Sequence, residues 1–174
     1  RVAEHLAGTL TAPAFTQADD TFRISIAGAQ EKTALLGHKE NRCRPLGATP
    51  TTHIFKLPMG QMPGGIDLST SVENEWLCHC LLQAFDIPVA NAEIVQFGEM
   101  KALCVERFDR RWMMDGRLLR LPQEDFAQVF GVPPDIKYES QGGPGIRPIL
   151  DQLNGSSQAQ VDRRDFFRTQ VLFW

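Results

Sequence analysis

Alternating apolar and polar residues predict several short β-strands in the first part of the chain. Phe22, Ile24 and Ile26 alternate with polar residues, and this period of two is typical of a strand. Residues 33–36 would form the return strand after a glycine-containing turn at residues 27–32. Further strands are predicted at residues 52–57, 92–97 and 101–107, and Asp115-Gly116 indicates a hairpin after them.

One long helix is predicted between these strands. Its apolar face consists of residues at helical spacing, namely Val72, Trp76, Cys80, Leu81, Ala84 and Phe85. Thr70 and Glu73 have the spacing of a capping box at its start, and Pro88 ends it. The preceding residues 59–67 are rich in glycine and proline and are predicted to form a loop.

From Pro122 onward the pattern becomes helical. Pro122 suits a first helical position, and Gly131 suits the position just after a helix end. Two more helices are predicted at about residues 146–153 and 162–174. Strands with one inserted helix, followed by helices, indicate an α+β fold with a lobe boundary near Asp109.

Composition and charge narrow the classes of function. The chain has 174 residues and a formal net charge of −3, so binding of DNA by the chain itself is disfavoured. Arg107, Arg110 and Arg111 are interleaved with acidic residues and predict a solvated or salt-bridged face. The four cysteines lack CxxC spacing, which favours core cysteines in a reducing cytoplasm over a zinc site.

Two kinds of targeting segment are not predicted. No apolar run approaches the ~20 residues needed to span a bilayer, and the first residues contain no long apolar stretch of a signal peptide. We therefore expect a cytoplasmic protein without a membrane partner.

The turn at residues 27–32 is a candidate phosphate-binding loop. Small residues there would let backbone N–H groups approach phosphate oxygens closely. The residues concerned are Ala27, Gly28, Ala29, Gln30, Glu31 and Lys32. With one glycine and no Walker pattern, the turn by itself favours an ordinary hairpin.

Lys56 is the more informative candidate because it interrupts an apolar strand. A lysine on the inner face of a strand needs an anionic partner, whereas an edge-strand lysine would point to solvent. The following helix offers Glu73 and Glu75. Since Glu73 is expected to cap the helix, Glu75 is the favoured partner; the alternative is a solvated glutamate that complements the helix dipole.

The last candidate is the end of the strand at residues 101–107, near the lobe boundary. Backbone groups of Glu106 and Phe108 could contact the edge of an adenine ring, and Val105 and Phe108 could pack on the ring face. The alternative is a strand end that only packs.

Five segments together resemble the HipA family of bacterial kinase toxins, in family order and at family spacing. They are residues 25–33, 50–56, 105–110, 121–125 and 137–145. The resemblance implies a two-lobed fold akin to protein and phosphoinositide kinases. Residues 1–20 would be a lead-in, 21–108 the nucleotide-binding N-lobe with one inserted helix, and 109–174 the truncated start of a helical C-lobe.

The resemblance also implies the chemistry. Such kinases use ATP and Mg²⁺ to phosphorylate serine or threonine on host proteins, such as aminoacyl-tRNA synthetases, and thereby arrest growth. A HipB-like helix-turn-helix antitoxin binds them and contacts the DNA. By motif, Lys56 would contact ATP phosphates, Glu106 and Phe108 would form the adenine hinge, and Ser25 would be the site of inhibitory autophosphorylation.

The sequence departs from the family pattern at its end. In the family the catalytic and metal-binding aspartates follow a Phe-Trp pair like Phe173-Trp174, so neither is expected within this chain. Three functions stay open: a kinase whose remaining parts lie after Trp174, a non-catalytic nucleotide-binding remnant, and a module that mainly binds an antitoxin.

Overall fold

The computed structural model describes residues 30–38 and 41–174. The chain divides into two compact units. The first comprises the described chain up to Leu81 together with Val89–Leu121, and the second comprises Leu82–Pro88 together with Pro122–Trp174. The strand predicted around Phe22, Ile24 and Ile26 lies outside the described residues. The division into an N-lobe and a C-lobe at Asp109 stays a prediction.

The first unit is built on a five-stranded antiparallel sheet. Along the chain its strands are β1 (Lys32–His38), β2 (Asn41–Cys43), β3 (His53–Lys56), β6 (Ala92–Phe97) and β7 (Met100–Glu106). Their order in the sheet is β2-β1-β3-β7-β6. Two short ladders flank it, one of β4 (Gly60–Gln61) with β5 (Asp67–Leu68) and one of β8 (Arg110–Trp112) with β9 (Leu118–Arg120). Residues 59–67 therefore contain the first of these ladders, where the glycine-rich pattern predicts only a loop.

The strand register gives the sheet two different faces. On one face, a core cluster is formed by Leu35, Phe55, Leu57, Ala102 and Cys104. Phe55 is fully buried and packs edge-on against Phe97, with ring centroids 5.8 Å apart. Burial of a side chain of this size stabilises the fold by roughly 1.5–3 kcal/mol. Lys32, Lys56 and Leu103 lie on the opposite face, because Lys56 is the cross-strand partner of both others.

The inserted helix, α1 (Ser71–Ala84), is present as predicted, but its buried face differs from the apolar pattern. Val72 and His79 are buried, whereas Trp76 and Leu81 are exposed. Glu73 does not close the predicted capping box with Thr70. Its Oε1 accepts a hydrogen bond from the Lys101 ammonium, and its Oε2 has no hydrogen-bond partner among the described residues.

The second unit is helical. It contains α2 (Phe126–Val129), α3 (Ile146–Gln152) and α4 (Ala159–Leu172), with 3₁₀ turns at Pro134–Ile136, Glu139–Gln141 and Leu153–Gly155. Pro122 is not the first helical residue, since Asp125 caps α2 in a reciprocal capping box with Gln128. Gly131 follows the end of α2 with φ 63°, as predicted for that position.

These two units confirm the predicted α+β class. The strands and helices expected within the described residues are present, with ends that shift by a few residues. Among the helices that the structure describes, none has the length and apolar character needed to cross a membrane.

Candidate functional site

An ion pair between Lys56 and Glu75 is the centre of the candidate site. The Lys56 ammonium donates a hydrogen bond to Glu75 Oε1. β3 presents Lys56 on the face opposite buried Phe55, and the Lys56 side chain is 26 % exposed. This contact confirms the predicted partner of Lys56, and the solvent-directed alternative is wrong.

The end of the candidate phosphate loop is attached to β3 beside this pair. Gln30 Nε2 donates to the Leu57 carbonyl at 2.7 Å, and the Leu57 N–H donates to the Glu31 carbonyl at 3.1 Å. Lys32 lies directly across from Lys56 in the β1–β3 register. The structure therefore places Gln30, Glu31 and Lys32 next to Lys56, while Ser25, Ala27, Gly28 and Ala29 lie outside the described residues.

A second ion pair joins α1 to the sheet. The Lys101 ammonium on β7 donates to Glu73 Oε1. This hydrogen bond lowers the pKa of the Glu73 carboxyl, so Glu73 is ionised at neutral pH. The sequence analysis missed Lys101 and assigned Glu73 to a cap.

The candidate adenine hinge follows directly on β7. The Glu106 N–H donates to the Asn91 carbonyl at 2.8 Å, and the Asn91 amide donates to Glu106 Oε2 at 2.8 Å. The Glu106 N–H is thus already used within the sheet. Val105 is half-buried, and Phe108 is 73 % exposed, so its ring is accessible.

Asp109, just after the hinge, is the centre of a buried charge network. Arg107 donates two hydrogen bonds to its carboxylate, at 2.9 and 2.7 Å, and Arg110 donates a third at 2.6 Å. Arg110 also donates to the Thr51 carbonyl at 2.7 Å. The hydrogen bonds from Arg107 hold the pKa of Asp109 below its usual range. The predicted salt-bridged interpretation of this arginine cluster is confirmed for Arg107 and Arg110, but both are largely buried.

A polar contact inside the sheet accounts for the Thr52-His53 dipeptide. Thr52 Oγ1 accepts the Gly37 N–H at 2.6 Å and lies 2.8 Å from His53 Nδ1. Burial lowers the pKa of His53, so its ring is neutral at pH 7. An added Cβ at position 37 would lie 2.8 Å from His53 Cε1, so a larger residue there requires the His53 side chain to shift. Single-sequence patterns gave no signal for this contact.

The second unit contains an apolar groove of about 350 Å³. It is lined by Phe85, Ile87, Phe167, Arg168, Val171 and Leu172. The Arg168 guanidinium is directed to the Phe85 carbonyl and to Asp165. The groove thus offers packing surface rather than groups for acid–base or phosphate chemistry.

Comparisons with known proteins agree on one family. The profile of the HipA-like C-terminal domain matches residues 24–174. The chain is 38 % identical over 131 residues to the protein Y4mE of Sinorhizobium fredii, covering 75 % of this chain and 30 % of that protein. It is 36 % identical over 136 residues to the serine/threonine-protein kinase toxin HipA of Shewanella oneidensis, covering 78 % and 29 %.

A solved structure matches the fold as well. It is the complex of HipA, HipB and operator DNA from Shewanella oneidensis, with a TM-score of 0.69 and 28 % identity over 94 % of this chain and 40 % of that one. The chain therefore spans only about a third of the length of the curated relatives it matches.

Proposed function

The chain belongs to the family defined by the HipA-like C-terminal domain, and on that premise we propose that it forms the nucleotide-binding part of an ATP-dependent serine/threonine kinase toxin. One observation carries the proposal, the ion pair between Lys56 on β3 and Glu75 on α1. Protein kinases need a strand lysine held by a helix glutamate, because this lysine fixes the phosphates for transfer. The similarity to a serine/threonine-protein kinase toxin supports the same assignment.

In the proposed complex, each part of ATP has its own set of contacts. Lys56 binds the phosphates, and Glu75 keeps the Lys56 ammonium in place. The loop at residues 27–32 supplies backbone N–H groups to the phosphates. The Glu106 carbonyl and the Phe108 main chain contact the adenine edge, while Val105 and Phe108 pack on the ring.

Magnesium would neutralise phosphate charge during transfer. Within residues 30–38 and 41–174, no three His, Cys, Asp or Glu side chains are grouped so as to hold a metal ion. The family resemblance implies catalytic and metal-binding aspartates outside these 174 residues, so phosphate transfer is tested on the full-length protein.

The matched complex contains HipB and operator DNA, which supports an antitoxin as one proposed partner. By analogy, a HipB-like helix-turn-helix antitoxin would bind the full-length protein in the cytoplasm and mediate its contact with DNA. A host protein such as an aminoacyl-tRNA synthetase would be the substrate. Ser25, outside the described residues, would be the autophosphorylation site that silences the kinase.

Because the matched structure is a complex, docking of an antitoxin without catalysis is the second candidate function. Substitution of Lys56 separates the two. In the full-length protein, Lys56→Ala should lower phosphate transfer at least about 100-fold, because the phosphates lose their positioning group. The variant should still unfold in one cooperative thermal transition, and its antitoxin binding should stay at the wild-type value. Transfer is measured with radiolabelled ATP and a protein substrate.

Lys137→Ala is the matched control, since Lys137 lies over the Tyr138 ring in the second unit, 5.0 Å from its centroid. This variant should keep the wild-type rate. A Lys56→Ala protein that transfers phosphate within twofold of wild type would reject the proposed role. A wild-type protein that binds antitoxin but neither binds ATP nor transfers phosphate would favour the docking module.

A further inference from the structure

We propose that Lys101 and Glu73 are positioning residues of the nucleotide site, because their ion pair stops α1 from rolling on the sheet and so keeps Glu75 against Lys56. The inference rests on the proposed function, since it assigns a task to the Lys56–Glu75 contact. Neither Lys101 nor Glu73 lies in the five segments that carry the family resemblance.

The two glutamates lie at different angular positions around the axis of α1. Successive residues of an α-helix are about 100° apart, so Val72 and His79 point in nearly the same direction, towards the core. Glu75 lies about 60° to one side of Val72, and Glu73 lies about 100° to the other side. The two ion pairs therefore hold opposite flanks of the buried face.

The sheet side places the two lysines on different strands. Lys56 of β3 is the cross-strand partner of Leu103 on β7, and Lys101 precedes Leu103 by two residues on the same face. Neighbouring strands are about 4.8 Å apart, and two residues advance a strand by about 6.8 Å. The two ion pairs thus attach the helix to the sheet at two separate points, one on each side of buried Val72 and His79.

Lys101 provides the positive charge that compensates the ionised Glu73 carboxylate. Glu73 Oε2 is buried and has no hydrogen-bond partner among the described residues, whereas Oε1 is bound by Lys101. Loss of the lysine would leave a partly buried carboxylate without compensation. The first turn of α1 would then move towards water, and Glu75, two residues on, would move with it.

The test measures ATP affinity and helix protection in the full-length protein. Lys101→Gln and Glu73→Gln should each weaken ATP binding about three- to tenfold, towards the lower end of what coupled neighbours show. In a Glu75→Gln background, adding Lys101→Gln should change ATP affinity no further, because Lys101 acts through Glu75. Without nucleotide, hydrogen exchange across Ser71–Ala84 should be faster in Lys101→Gln than in wild type.

Glu93→Gln is the matched control. Its carboxylate is 64 % exposed and pairs with Arg42, and Glu93 lies on the sheet face opposite to Lys101. It should change neither readout. Equal losses of affinity in the wild-type and Glu75→Gln backgrounds, or unchanged affinity in both, would overturn the inference. Hydrogen exchange in α1 that is the same in Lys101→Gln and in wild type would also overturn the inference. A wild-type protein that binds no ATP would instead refute the proposed function.

Discussion

At the scale of single residues, Asp109 is buried and hydrogen-bonded, although the charged sequence around it predicts a solvated or salt-bridged surface. Its carboxylate is 7 % exposed and accepts three hydrogen bonds from Arg107 and Arg110. Its backbone carbonyl also accepts the Leu121 N–H at 2.9 Å. This network joins the end of the candidate hinge to the β8–β9 hairpin and to Thr51, so hydrogen bonds fix both residues that flank Phe108.

Replacing Asp109 should therefore destabilise the fold. Asp109→Asn leaves two largely buried guanidinium groups without a countercharge, which costs roughly 3 kcal/mol when one partner of a buried pair is removed. Urea denaturation at pH 7 measures the change. The matched control is Asp115→Asn, whose 51 % exposed carboxylate pairs with Arg117 and should cost less than about 1 kcal/mol. Equal losses in the two variants would contradict the buried network.

The same group predicts a dependence of stability on pH. The folded-state pKa of Asp109 lies below its unfolded value of about 3.9, so its stabilisation is complete well above that value. The stabilisation is lost as the pH falls through the folded pKa. The difference in unfolding free energy between wild type and Asp109→Asn should thus be largest at neutral pH and shrink below about pH 4. A difference that stays constant down to about pH 2 would contradict this assignment.

At the scale of elements, the hydrophobic periodicity of the sequence predicted the strands and helices, which depend on local backbone geometry. Alternation gave the strands, and helical spacing gave α1, because both periods follow from backbone geometry. Which face of α1 is buried depends on the sheet beneath it, so the pattern placed Trp76 inward and missed His79. The Lys56–Glu75 pair was predictable because a lysine on the inner face of a strand needs an anionic partner. The Asp109 network was not, since Arg110 bonds to Thr51, which is 59 residues away.

β1 and β3 approach each other closely at Gly37, which predicts that a larger residue there destabilises the fold. Gly37→Ala should destabilise the fold by about 1–3 kcal/mol, because its Cβ would lie 2.8 Å from His53 Cε1 and 3.3 Å from Thr52 Oγ1. The control Gly155→Ala adds a Cβ with nothing within 4 Å and should change stability little. Both are compared by thermal melting, and equal melting temperatures for the two variants would refute the close packing.

At the scale of the whole molecule, the first unit holds every described residue of the candidate site. Gln30, Lys56, Glu75, Glu106 and Phe108 all belong to it, and none comes from the helical second unit. The chain spans 30 % and 29 % of its two curated relatives and 40 % of the matched structure's chain. Phosphate transfer, substrate and antitoxin are therefore properties to test on the full-length protein, whereas the described residues proposed to contact the nucleotide all belong to the first unit.

Chemical labelling tests most directly whether Lys56 lies beside the phosphates of bound ATP. An ATP analogue with an acyl group on its terminal phosphate transfers that group to a lysine within reach, and mass spectrometry of the full-length protein identifies the lysine. We expect acylation of Lys56, suppressed by excess ATP, and much weaker acylation of Lys137, which lies over the Tyr138 ring. Labelling of Lys56 no stronger than that of Lys137, or labelling that excess ATP leaves unchanged, would contradict the proposed nucleotide site.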